Sequence, residues 1–427
     1  MSRLDIIIFG ATGFTGRRIV PRLHEILKKE YLNLTWGIAG RSKNKLKEVL
    51  IEAEQKTGDK LDEIEIIEAD INNESSLKSM TSKTKLLINT VGPFRFYGEQ
   101  VVQACLSTGT HHLDVAGEPQ FMEEIQYKYH KIAMEKGIYL ISACGMDSIP
   151  ADMGVIHLQN NFDGTLNSID SYHYGVEENG PHPGPELNYA TWISAVYGVG
   201  KAKELTELRK KLFAKRLPKC LPPPQKRSTI HKNEEINRWC IPFPAADRAV
   251  LSRTQRYFYE ENQQRPIHIR CYWGFEELSS ILKSAAVAPL FMAFCKTEPT
   301  RKLLVKYPGF FSGGAFTTGG PSEEKMENTL FYVKLDAEGW AEKPEKDVCK
   351  DFDKAPDKKM VVRVAGRNPG YGITSTTVSL AAITVLTEQD KMPNKGGCYP
   401  PGYAFAKTSL IERLNRNELK FEIVSKL

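Results

Sequence analysis

The stretch Asp5-Ile6-Ile7-Ile8-Phe9-Gly10-Ala11-Thr12-Gly13-Phe14-Thr15-Gly16 decides the fold of this 427-residue chain. Ile6 to Phe9 form a short apolar, β-branched run, the pattern of a strand buried on both faces. Glycines then recur at every third position, and Ile19, Leu23, Ile26 and Leu27 follow at helical spacing. Strand, glycine turn and helix in that order are the context in which such a pattern signals a dinucleotide site. Gly10 permits the tight turn, Gly13 lets backbone amides approach a pyrophosphate, and Gly16 lets the helix pack close to the strand. Ala11, Thr12, Phe14 and Thr15 complete the cradle, and the helix amino terminus supplies oriented donors with a partial positive charge. The GxxGxxG spacing is a variant common among NADP-linked Rossmann enzymes. Pro21 lies inside the helix and is expected to bend it.

The end of the second strand, Leu34–Gly40, selects the cofactor. An NAD site places an acidic residue there to accept from the ribose 2′-hydroxyl. This chain instead has Arg41-Ser42-Lys43-Asn44-Lys45. A guanidinium suits a 2′-phosphate dianion, which Arg41 can bind in bidentate fashion beside Ser42. The expected cofactor is therefore NADP(H).

The βα rhythm continues through strands at Glu65–Asp70, Lys85–Val91, His111–Val115 and Ile138–Ala143. Asp70 either meets the adenine edge or caps the next helix. Asn89, Val91, Gly92 and Pro93 stand where the fourth strand ends, on the side where ligands lie in a doubly wound sheet. Glu118, Asp147 and Ser148 occupy equivalent ends. Each has a structural alternative: Asn89 binds backbone, Glu118 caps a loop, and Asp147 or Ser148 caps the helix opened by Pro150.

Several longer segments carry a resemblance: GATGFTG (10–16), AGRS (39–42), NTVGPFRFYGEQVVQAC (89–105), LDVAGEPQF (113–121) and GMDSIPADMG (145–154). With RTQRY (253–257), YPGFFSGG (307–314) and PPGYAFAKTSLIERLN (400–415), the chain resembles the saccharopine dehydrogenase-like oxidoreductases, animal branch, from end to end. The resemblance implies an α/β protein: an NADP-binding Rossmann domain and a second α/β domain with a mostly antiparallel sheet. It also implies relatedness to bacterial trans-acting enoyl reductases, and association with lipid droplets and intracellular membranes. It does not fix the substrate, because fold does not.

Residues 1–152 are read as the cofactor domain. Residues 153–427 are read as a substrate and dimerisation domain, with a carboxyl-terminal segment expected to pack back on the first. Ser168–Tyr174, Leu330–Leu335 and Met360–Val364 are expected strands, and Ala190–Val196 and Thr376–Glu388 helices. Leu217–Lys232 and Ala341–Lys359 are expected as charged surface segments. No YxxxK arrangement is read as lowering a tyrosine's pKa, and no catalytic residue is singled out; His173 and His182 are candidate acids, although isolated histidines of this kind are usually surface residues. A homodimer is compatible with this reading. A true saccharopine site would need cationic clamps, for which Arg248, Arg253 and Arg256 are available.

The net charge of +6 is spread along the chain, without RNA-recognition signatures or metal-finger spacing, so neither nucleic acid nor a metal is expected. The eight cysteines form no CxxC pair. The amino terminus runs straight into a strand and leaves no room for a signal peptide, which places the chain in a reducing, cytosolic setting. The apolar run Ser284–Cys295 is shorter than the ~20 residues of a spanning helix and contains Pro289, so no transmembrane helix is expected. Within the insert 281–316, basic Arg301, Lys302 and Lys306 and aromatic Tyr307, Phe310, Phe311 and Phe316 flank that run. Either it is a shallow anchor on a lipid droplet or membrane, or it is a buried helix. The expected function is NADP(H)-dependent oxidoreduction of a small hydrophobic or lipid-like carbonyl or enoyl substrate on the cytosolic face of a droplet or membrane. The alternative is a droplet-associated structural protein that keeps a nucleotide site without catalysis.

Overall fold

The computed structural model describes residues 3–243, 245–343 and 351–426. Met1, Ser2 and the middle of the charged segment 341–359 therefore lie outside the described residues. Six strands form in the amino-terminal third: β1 (Leu4–Phe9), β2 (Trp36–Gly40), β3 (Glu65–Glu68), β4 (Thr84–Asn89), β5 (His111–Asp114) and β6 (Tyr139–Ile141). They lie in the spatial order β3-β2-β1-β4-β5-β6, and all pairs are parallel. Ile6, Ile7 and Ile8 have no exposed surface, because β1 is central and helices cover both faces of the sheet. The strand order reverses between β1 and β4, which opens a crevice at their carboxyl ends. Helix α1 (Gly16–Lys29) runs through Pro21 without a break. A seventh strand, Gly397–Tyr399, pairs with β6, so the carboxyl-terminal region returns to the first sheet.

The second sheet also has seven strands. In spatial order they are Lys420–Lys426, Lys358–Arg367, Thr329–Trp340, Thr165–Glu177, His268–Phe275, Arg238–Pro242 and His231–Asn233. This sheet is mixed: Thr165–Glu177 and His268–Phe275 pair in parallel at its centre, and the other five pairs are antiparallel. A long helical excursion separates those two strands in sequence, and parallel pairing requires such a crossover.

Helix Ile149–Asn161 spans residue 152, the expected domain boundary, and leads from β6 to the second sheet. Helix Thr374–Thr387 is buried from Thr374 to Val385. It packs on α1, where the Arg22 Nε donates to Thr376 Oγ1 (2.8 Å), and the Thr377 hydroxyl donates to the Cys144 carbonyl (2.8 Å). The two sheets thus share one continuous apolar core.

The apolar insert forms a helix, Leu278–Cys295, longer than the run read from the sequence. Its 18 residues and mean hydropathy of 1.6 make it long and apolar enough to cross a membrane by length and composition, so that criterion does not exclude it as the shorter run did. It is not a buried core helix. Leu282, Val287 and Leu290 are each more than half exposed, and only Ile281 and Cys295, near its ends, are buried. Phe310, beyond the following helix Glu298–Lys306, is 82% exposed.

Candidate functional site

The glycine turn stands at the crevice between β1 and β4. Gly10 has φ +87°, and a Cβ there would fall 2.6 Å from Thr90 Oγ1 and 2.9 Å from Val91 Cγ2. At Gly16 a Cβ would fall 2.2 Å from the Gly10 carbonyl oxygen. Only glycine fits either position. The Gly13 amide closes the turn on the Gly10 carbonyl at 2.9 Å, while the amides of Thr12, Phe14 and Thr15 find no acceptor among the described residues. Thr15 caps α1 without a side-chain bond, and the first turn of α1 holds no acidic residue. Free amides and an uncompensated helix amino terminus fit a pyrophosphate.

Arg41 follows β2 and is exposed, without an ion-pair partner among the described residues. Ser42 caps the next helix, accepting from the Lys45 amide at 3.4 Å. A free guanidinium beside a helix start suits a ribose phosphate.

The other candidates divide. Asp70 closes a turn by accepting from the Asn72 amide (2.9 Å), while Asn73 caps helix Glu74–Ser82, so the capping alternative belongs to Asn73. Asn89 is fully buried; its side chain accepts from the Val91 amide (3.0 Å) and faces His112. It shapes the loop Val91-Gly92-Pro93. Glu118 accepts from the Phe94 and Arg95 amides and from the Ser194 hydroxyl, tying the start of helix Phe94–Thr108 to helix Tyr189–Gly200. Helix Ile149–Asn161 has no side-chain cap, so neither Asp147 nor Ser148 plays that part. His173 is buried rather than exposed; burial holds it down to about 3, which keeps it neutral. His182 hydrogen-bonds Asn328 (2.9 Å).

A cavity of about 460 Å³ opens where the carboxyl ends of β5 and β6 face the second sheet. On the first side stand Thr15, Val115, Ala143, Asp147 and Ser148; on the other stand Ile241, Phe243, Trp273, Phe275 and Tyr371. The lining is largely apolar. Its titratable side chains are Asp147 and Tyr371, whose hydroxyl accepts from the Asn188 amide at 2.9 Å. Tyr371 also packs edge-on against Phe14 of the glycine turn, with ring centroids 4.5 Å apart. Tyr371 and the aromatic wall went unmarked in the sequence. The alternation of Trp273 and Phe275 along a strand was the one available signal. Arg253 is buried and donates to Gln126 away from this lining, and Arg256 pairs with Glu260, so neither clamps a carboxylate here.

The comparisons agree with this geometry. The family profile for the saccharopine dehydrogenase NADP binding domain matches residues 6–141. A saccharopine dehydrogenase-like oxidoreductase of Mus musculus is 37% identical over 98% of this chain and 97% of its own. A lipid droplet localized protein of Caenorhabditis elegans is 34% identical over 100% and 99%. Among solved structures, saccharopine dehydrogenase (L-Glu forming) from Saccharomyces cerevisiae aligns over 99% of this chain and 100% of its own. That match has a TM-score of 0.52 at 13% identity, a likeness of fold alone. A glycine cradle with an NADP-binding profile across β1–β6, joined to full-length likeness, places the chain in the saccharopine dehydrogenase-like oxidoreductase family, with NADP as its cofactor.

Proposed function

We propose that this protein is an NADP(H)-dependent oxidoreductase acting on a lipid-derived or otherwise hydrophobic carbonyl or enoyl compound at a lipid surface. In this reading the amides of residues 10–16 hold the pyrophosphate and Arg41 holds the 2′-phosphate. NADPH bound there supplies a hydride, and the protein orients the acceptor, excludes water and provides a proton. The observation that carries the reading is the apolar, aromatic-walled cavity at the carboxyl ends of β5 and β6, where a doubly wound sheet places its substrate.

The lipid setting has its own support. The worm relative is named for the lipid droplet, and helix Leu278–Cys295 turns apolar side chains outward along most of its length. Ile281 and Cys295 are both buried in the same body, which favours a helix lying on a surface over one that spans a bilayer. Helix Tyr189–Gly200 stands between the two features: Thr191 lines the cavity, and Trp192 packs on Phe291 of the exposed helix (5.3 Å). A substrate dissolved in lipid then has a short path to the cavity.

Oxidation of NADPH by the purified chain, followed at its absorbance with a panel of long-chain enones, enoyl thioesters and ketones, tests the reading. Turnover with apolar members and none with short polar ones is expected. Tight NADPH binding without oxidation across the panel would favour a droplet-associated protein that retains the site without chemistry.

A further inference from the structure

Tyr371 stands where the glycine turn meets the second sheet. It is 6% exposed, its side chain lines the cavity, and its ring packs edge-on against Phe14. The backbone that carries it is unusual. Asn368 is left-handed at φ +55° and opens a π-helical turn, Pro369–Ile373, which the Ile373 amide closes on the Asn368 carbonyl at 3.0 Å. The Asn368 side chain accepts from the Gly372 amide (3.0 Å) and donates to Glu327 (2.7 Å). Left-handed non-glycine residues and single π turns are costly, and both recur at functional sites. Gly370 and Tyr371 of this turn line the cavity, and the Tyr371 hydroxyl is the turn's one polar side-chain group.

That hydroxyl is held from one side. Its oxygen accepts from the Asn188 amide at 2.9 Å, while its own hydrogen has no acceptor among the described residues. A buried hydroxyl with an idle donor is costly unless something in the cavity completes it. Other polar side chains of the lining are engaged differently. The Ser148 hydroxyl donates to the Asp147 carbonyl (2.7 Å), and the Thr374 hydroxyl accepts from the Met146 amide (3.2 Å). Asp147 is half-buried and, when ionised, can only accept.

We infer that the Tyr371 hydroxyl binds the carbonyl oxygen of the molecule in the cavity and gives it the proton during reduction. This rests on the reading of the cavity as the substrate site. The substrate gains a hydride and a proton, and the cofactor is the oxidised partner. Hydride adds to the carbonyl carbon or, in a conjugated alkene, to the β-carbon. Either way the π electron pair moves onto the carbonyl oxygen, and the Tyr371 O–H bond breaks as that oxygen takes the proton. The product is an alcohol, or an enol that tautomerises to the saturated carbonyl compound. The phenolate keeps the Asn188 N–H bond, with the Arg18 guanidinium 5.5 Å from its ring centroid, and a solvent proton entering through the cavity restores the phenol. Burial holds the resting phenol above its ordinary range and therefore protonated; Arg18 and Asp147 are the charged groups that act on it.

Tyr371→Phe keeps the ring against Phe14 and removes only the hydroxyl. Its turnover with long-chain enones and ketones is expected to fall about 10²–10⁴-fold, while NADPH affinity stays within about twofold. A second readout needs no turnover: the infrared carbonyl stretch of a ¹³C-labelled long-chain ketone bound to the full chain with NADP⁺. The wild type should lower that frequency relative to the ketone in hydrocarbon, and Tyr371→Phe should restore it. Should Tyr371→Phe fail to fold, Tyr371→3-fluorotyrosine, a stronger donor, should lower the frequency further. No bound ketone, an unshifted carbonyl, or a shift indifferent to residue 371 overturns the assignment. Full turnover in Tyr371→Phe, with loss in Asp147→Asn, overturns it in favour of Asp147. A carbonyl shift that depends on Tyr371 in a protein that oxidises no NADPH sustains the contact and counts against the proposed function instead.

Discussion

The two walls of the cleft are made of different material. The cofactor wall is mostly backbone: glycines whose missing side chains let α1 and the β4 loop close in, free amides and a helix start. The proposed substrate wall is side chain: Phe243, Trp273, Phe275 and Tyr371 projecting from the second sheet and its loops. A backbone wall fixes one ligand shape and tolerates little change. A wall of side chains sets specificity and can be recast without disturbing the cofactor.

The largest expected effect tests the backbone wall. Gly16→Val puts a branched side chain where even a Cβ lies 2.2 Å from a carbonyl oxygen. It should cost about 3 kcal/mol or more of stability and abolish NADPH binding, measured by urea unfolding and by fluorescence titration. Normal binding would show that the wall is less backbone-determined than described.

Arg41→Ala tests the one side chain proposed to act on that wall. Losing a charge-assisted contact worth about 1.5–3 kcal/mol should weaken NADPH roughly 10- to 100-fold and leave NADH nearly unchanged. Equal losses would mean that Arg41 does not read the 2′-phosphate.

A third test lies at the seam between the walls. Burial raises Asp152 to about 6, although the Gly402 amide, the Thr254 hydroxyl and Arg253 pull it down. The folded state therefore holds this proton more tightly than the unfolded chain does. Stability from this group is fullest below the unfolded pKa and declines as pH rises through about 6. The stability advantage of the wild type over Asp152→Asn should shrink by about 1–2 kcal/mol between pH 5 and pH 8 in urea unfolding. An advantage that grows with pH would reverse the assignment.

The smallest effect on folding belongs to the outer face of the substrate half. Replacing exposed Leu282, Val287 and Leu290 together with Asp should change unfolding by no more than about 0.5 kcal/mol per site. Flotation with neutral-lipid droplets should be lost. Retained flotation would take the lipid surface away from this helix.

The same contrast explains what the sequence made legible. The β1 strand, glycine turn and α1 are contiguous, and each residue's role follows from local sterics, so residues 5–16 announce the cofactor wall. The substrate wall draws Ile241, Trp273 and Tyr371 from segments far apart in the chain, and only tertiary packing brings them together. Asp70 and Asn73 were separable only by geometry, since both are good capping residues. The length of helix Leu278–Cys295 was hidden because polar Ser279, Ser280 and Lys283 interrupt the hydropathy before the apolar run begins.

A crystal structure of the full chain with saturating NADPH tests the account most directly. The account predicts phosphates on the amides of residues 10–16, the 2′-phosphate against Arg41, and the nicotinamide ring opening onto the cavity between Asp147 and Trp273. A nicotinamide directed away from that cavity, or no nucleotide at saturation, would contradict it.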